Sequence, residues 1–168
     1  MLGVLYSVNG MKKKLKWILT GLAAVFALMQ FANPAHTNPP ATPGNDLMAV
    51  HPPPPPVAAI LRAACYDCHS DETRWPWYSR IAPVSWLVAG DVKDGREKMN
   101  FSEWPNDLPA RAAKRLGRIS EEVGYKNMPP AKYTLLHPDA RLTTAQRELL
   151  VDWADQEAAR LKPAATNQ

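Results

Sequence analysis

The sequence predicts an all-α domain, and three observations carry that prediction. Apolar residues recur at helical spacing in four separate stretches after residue 56. No stretch alternates convincingly between apolar and polar residues as a half-buried strand would. Helix start and stop signals also fall where the periodicity begins and ends: Pro83, a Thr143-Thr144-Ala145-Gln146 capping box, and Gly124.

Residues 1–35 read as an N-terminal export signal or membrane anchor. Met11 begins a second, better-formed N-terminus. Lys12, Lys13, Lys14 and Lys16 precede an uncharged run from Trp17 to Ala32, and a basic flank before an apolar run is the pattern of an export segment. The run is longer than a typical signal-peptide core and slightly shorter than a comfortable span of ~20 residues. Ala32-Asn33-Pro34-Ala35 offers small residues but no clean A-x-A cleavage site, and no Cys directly follows that could carry a lipid. The expectation is an uncleaved anchor with its lysines on the cytoplasmic side. A cleaved signal is the alternative. Either way the rest of the chain is expected on the periplasmic side of the inner membrane.

Residues 36–56 read as a Pro-rich linker ending in Pro52 to Pro56. A polyproline run is a stiff extended spacer of ~3.1 Å per residue, able to hold a domain off the membrane.

The domain proper is expected over residues 57–161, with a tail over 162–168. Val57, Ile60, Leu61 and Ala64 form one face of a short first helix. Pro83 opens a second helix, which a charged stretch from Asp91 to Lys98 extends toward Met99. A third runs from about Leu108 to Val123 through Leu108, Ala112, Leu116 and Ile119, with Gly124 as its stop. The capping box starts the last helix, in which Leu149, Leu150, Trp153 and Ala154 form a stripe reaching about Leu161. A domain of this size is near the lower end of comfortable core size, so an apolar cofactor would supply missing interior.

The net charge of +4 is a property of the N-terminus. Four of the 20 basic residues precede position 57, against one acidic residue, Asp46; the body carries 16 basic and 15 acidic residues. A nearly neutral body gives no basic face for nucleic acid, and no Gly-rich loop is present to cradle a phosphate.

The two cysteines stand in Cys65-Tyr66-Asp67-Cys68-His69, the string that attaches haem covalently in c-type cytochromes. Two thiols separated by two residues on a helical turn reach the two vinyl groups on one porphyrin edge, and the adjacent imidazole reaches the iron. The competing readings are weaker. A disulfide, usual in an oxidising compartment, leaves the adjacent His without a role. Zinc wants four ligands, and His36, His51 and His137 lack partner spacing. A thioredoxin-like pair wants a βαβ context. The expectation is one haem c, held by Cys65 and Cys68, with His69 as the first iron ligand.

For the sixth iron position the candidates are Met99, Met128 and His137, with an open position as the further alternative. Met128 is favoured. It stands in Asn127-Met128-Pro129-Pro130, where two prolines keep the chain out of a helix, and it follows the attachment motif by enough chain to reach the other haem face. Most methionines are core residues, however. Trp75, Trp77 and Tyr78 follow the motif and could wall the porphyrin, ordinary packing being the competing role. Arg74 and Arg80 are candidate propionate partners.

Five segments in order resemble the bacterial haem-binding domain family: Ala64 to Ser70, Thr73 to Tyr78, Ile81 to Leu87, Asn100 to Trp104, and Met128 to Tyr133 with Leu136-His137-Pro138. The resemblance covers about residues 47 to 160. It implies a small exported protein with one attachment motif, often behind an N-terminal apolar segment. It implies Cys65, Cys68 and His69 for haem, and a Met-Pro-Pro element compatible with Met128 as the distal ligand. The function expected is single-electron transfer by a membrane-tethered monohaem cytochrome, with redox proteins of the periplasm or inner membrane as partners. A haem enzyme of peroxidase type and a haem-based ligand sensor, both needing a labile sixth position, are the alternatives.

Overall fold

The computed structural model describes residues 2–105 and 108–162, with side chains from residue 10 onward. Residues 163–168 of the expected tail lie outside the described residues. Every regular element among the described residues is helical. In chain order they are α1 (Leu2–Met29), α2 (Leu47–Val50), α3 (Pro55–Ala64), α4 (Tyr66–His69), α5 (Val84–Lys98), α6 (Pro109–Gly124), α7 (Ala131–Leu136) and α8 (Thr144–Leu161). Short 3-10 turns fill some of the connections. The all-α expectation holds.

The chain forms two compact units. One joins residues 1–36 to 76–90; the other joins 37–75 to 91–168. Helix α5 therefore contributes its first half to one and its second half to the other. The Pro-rich stretch is not a free spacer. Asp46 caps α2 by accepting from the Met48 amide at 2.8 Å, Leu47 is fully buried, and α3 begins at Pro55 rather than Val57. Proline suits the first turn of a helix because its missing N–H has no intrahelical partner there.

The larger unit is built on α3, α6 and α8, with α6 packed along α8. Val57, Ile60, Leu61 and Ala64 of α3 are all buried, as their spacing predicts. So are Ala112, Leu116, Ile119 and Val123 of α6. On α8 the buried face is Leu150, Trp153, Ala154 and Ala158, whereas Leu149 is exposed. Truncating a fully buried leucine such as Leu116 to alanine removes ~2–5 kcal/mol. The capping box forms as expected: Thr143 Oγ1 accepts from the Gln146 amide at 3.2 Å, and Gln146 Oε1 accepts from the Thr143 amide at 2.9 Å.

The end of α6 sets the position of the Met128 loop. Gly124 is the last helical residue, but the left-handed position falls two residues later, on Lys126 at φ 61°. The Lys126 amide bonds Val123 O at 3.1 Å and the Asn127 amide bonds Glu122 O at 2.9 Å, the two bonds of a Schellman turn. The chain then leaves the helix at Met128.

The smaller unit holds α1 and the segment 76–90. Residues Gly10–Ala32 form a helix long and apolar enough to cross a membrane, with mean hydropathy 1.6 and none of it buried. Beyond α1, Gln30 pairs with both backbone groups of Ala82, its Oε1 accepting at 3.0 Å and its Nε2 donating at 3.3 Å. Asn33 Nδ2 donates to Arg80 O at 3.2 Å and its Oδ1 accepts from Ser85 Oγ at 2.5 Å. His36 Nε2 donates to Ser79 O at 2.6 Å, and Trp86 Nε1 donates to Ala32 O at 2.9 Å.

Candidate haem site

The attachment string forms the single turn α4, joined to α3 through Cys65. Its geometry is set from three sides. Ser70 closes the turn, its Oγ donating to Tyr66 O at 2.8 Å. Arg96 on α5 donates to Ser70 O at 2.8 Å and to Thr73 Oγ1 at 2.9 Å. Gly95, beside it, lets the two backbones meet: a Cβ there would stand 2.9 Å from the Cys68 carbonyl carbon. Only glycine fits so close a backbone approach.

His69 is oriented by its back nitrogen. Nδ1 lies 3.0 Å from Met99 O, and the ring stacks on Phe101 with centroids 5.5 Å apart. A carbonyl only accepts, so the proton sits on Nδ1 and Nε2 carries the lone pair. Burial holds the His69 pKa below its usual value, the hydrogen bonds toward Met99 and Gly95 opposing that shift. The neutral imidazole this favours is the form that binds a metal.

Cys65 and Cys68 are free, partly buried thiols. Burial, then the neighbouring Cys68, pushes the Cys65 pKa up to about 12. Burial, then Asp91 and Asp67, pushes that of Cys68 up to about 11. Reactive redox pairs have a depressed pKa and a ready thiolate. These thiols have the opposite property.

Cys65, His69 and Met128 line one cavity of about 220 Å³, whose apolar walls include Met99, Phe101, Ile119 and Val123. Cys68, on the Gly95 side of the turn, is not among the lining residues. Met128 is held by its backbone at both ends. Its amide donates to Glu122 O at 3.0 Å, and its carbonyl accepts from Arg147 Nη1 at 2.9 Å. The same guanidinium nitrogen donates to Val123 O at 3.1 Å, so one α8 side chain fixes both the end of α6 and the Met128 loop.

Of the other two sixth-position candidates, Met99 is buried and lines the cavity. His137 does not line it and stacks on Tyr133 at 4.0 Å between centroids. Arg74 is not at the cavity; its guanidinium pairs with Asp67 at 3.1 Å. Arg80 and Trp77 belong to the smaller unit. Trp75 Nε1 bonds Asn38 at 3.2 Å. None of the expected aromatic wall lines the cavity.

The sequence pattern alone did not single out the charged residues that do line it. Lys98 and Arg118 are exposed cations beside Glu122 and the apolar walls. Glu122 follows Ile119 by three residues, one turn along α6, whereas Arg118 lies off the buried face. An apolar cleft with a free imidazole nitrogen, two thiols on an adjoining turn and a cationic rim fits an iron porphyrin: apolar ring, coordinating metal, anionic propionates.

The profile of the haem-binding domain family matches residues 24–156. A cytochrome c peroxidase, Ccp, of Escherichia coli (strain K12) is 27% identical over 107 residues. That alignment covers 61% of this chain and 23% of the peroxidase, so the chain spans less than a quarter of that relative's length. No solved structure matches the chain.

Proposed function

Because the chain belongs to the haem-binding domain family, we propose that it is a membrane-tethered monohaem c-type cytochrome that passes single electrons on the periplasmic side. In this reading Cys65 and Cys68 would hold the haem through thioethers, and His69 and Met128 would be its two protein ligands to iron. The observation that carries it is the shared cavity of Cys65, His69 and Met128, with Met99 O fixing the His69 tautomer.

Haem bound there supplies an iron that gains and loses one electron. The chain's own residues do the rest. His69 offers a neutral imidazole, and Met128 a soft thioether that favours the reduced metal more than a second imidazole would. Lys98 and Arg118 balance the propionates. With His69 and Met128 both bound to the iron, no site for a substrate would remain at the metal. The redox partners are proteins of the periplasm or inner membrane. Tethering is supported by Gln30, Asn33 and His36, whose side chains are committed to segment 79–85 just beyond the apolar helix. A cleaved signal would discard part of that set.

A second reading, peroxide chemistry, has one observation in its favour: the acid Glu122 lines the cavity. One experiment separates the two. The full chain, made with a working cytochrome c maturation system, should keep its haem through acid-acetone extraction. It should show low-spin spectra that carbon monoxide leaves unchanged. Complete extraction of the haem sinks covalent attachment; ready carbon monoxide binding transfers the case to the peroxide reading.

A further inference from the structure

The uncharged run Trp17 to Ala32 rises ~24 Å as a helix, against a hydrocarbon layer of ~30 Å. The whole helix Gly10–Ala32 is long enough to cross, so its C-terminal end and the residues following it lie in the interfacial layer. Those residues are not alone. Gln30, Asn33 and His36, three apart, each bond segment 79–85, and Trp86 bonds back to Ala32. Whatever depth the end of the helix takes, residues 79–86 share it.

The segment is built for that depth in two ways. Its free backbone groups are taken by side chains: Ser79 O by His36, Arg80 O by Asn33, and both groups of Ala82 by Gln30. Such internal satisfaction is needed where water is scarce. Apart from the exposed Arg80, its outward side chains are apolar and aromatic. Trp77 is 76% exposed and Leu87 66%, with Ile81, Val84 and Trp86 also open. A patch this apolar on a soluble surface marks an interaction site, and tryptophan is enriched where membrane meets water.

We infer that Trp77, Ile81, Val84 and Leu87 form a second membrane contact, seated in the interfacial lipid layer beside the end of the anchor helix. The inference rests on the reading of α1 as a retained anchor. The chain is then held at the bilayer by a helix with a collar, not by a single helix on a loose leash.

Photocrosslinking tests this with the full haem-loaded chain in phospholipid vesicles. Benzoyl-phenylalanine is placed singly at Trp77, at Leu87, or at Leu22 within the apolar helix, all three being exposed. Irradiation should add the mass of one lipid to the peptide carrying residue 77 and to that carrying residue 87, as it does at 22. Lipid adducts at 22 but not at 77 or 87 overturn the collar and leave the anchor standing. Adducts to protein at 77 and 87 overturn the lipid assignment of this face. Absence of lipid adducts at all three positions overturns both collar and anchor.

Discussion

The Tyr133 hydroxyl donates to Asp67 Oδ2 at 2.8 Å, tying α7 to the middle of the attachment turn. Asp67 is buried, and Arg74 Nε also bonds it at 3.1 Å. The hydrogen bond joins the loop that presents Met128 to the turn that presents His69. Tyr133→Phe removes it and leaves the carboxylate with Arg74. A loss of ~1.5–3 kcal/mol in stability is expected, the range for bonds to charged groups, measured by denaturant unfolding. In the proposed holoprotein the thioether-to-iron band should also weaken. A merely structural role would leave that band unchanged.

Met128→Ala should abolish the far-red thioether-to-iron band of the ferric protein, with haem still covalently held. It should also lower the midpoint potential or admit carbon monoxide. Met99→Ala and His137→Ala should keep the band. If Met128→Ala retains the wild-type ferric spectrum while Met99→Ala loses it, the other methionine lining the cavity is the ligand.

Gly95→Ala places a methyl group against the Cys68 carbonyl. The contact is with backbone, which cannot rotate away, so a cost of ~1–3 kcal/mol from overpacking is expected. Thermal unfolding measures it. Gly90→Ala, whose Cβ meets nothing within 4 Å, is the matched control and should be neutral or stabilising.

The thiols give a pH dependence whose sign comes from their raised values. Folded Cys65 and Cys68 hold their protons to about 12 and about 11, against 9.0 for the unperturbed group. The unfolded chain therefore releases those protons first. Stability of the haem-free chain should be constant below pH 9 as far as the thiols determine it, and fall as pH rises from there. At pH 8 alkylation by iodoacetamide should run at least roughly a hundredfold slower at each thiol than for a free cysteine, and slowest at Cys65, since thiolate is the attacking species. Rates equal to those of free cysteine would show the thiols to be open.

Lys126→Gly should stabilise the domain by up to about 1 kcal/mol, because a left-handed residue costs about that much when it carries a Cβ. The midpoint of chemical denaturation reads it. A destabilised variant would mean that the lysine side chain holds the turn by some other contact.

The main helices were legible because each carries both a periodic apolar face and an explicit boundary signal. Thr143 and Gln146 announce α8, and Val57, Ile60 and Leu61 announce α3. The short elements α2, α4 and α7 carry too few residues for periodicity to register. Trp77 and Leu87 were unreadable for a different reason. Their segment looks like ordinary core until the partners of Gln30 and Asn33 are known, and those partners lie 47 to 52 residues away. At the site, Cys65, Cys68, His69 and Met128 were named from local motifs, whereas Lys98, Arg118 and Gly95 depend on which surfaces meet. The α6 register bears only on Glu122, one turn after Ile119.

The pair of hydrogen bonds that Arg147 donates to Val123 O and Met128 O has a consequence for the order in which the site is assembled. The direct partners of the His69 ring, Met99 O and Phe101, precede residue 102 in the chain. The Met128 carbonyl has no partner until the first turn of α8 exists, 19 residues later. A chain emerging from its N-terminus completes one wall of the cleft while the opposite wall is still unmade. In the proposed cytochrome, haem would then meet the thiols through an open side that closes last.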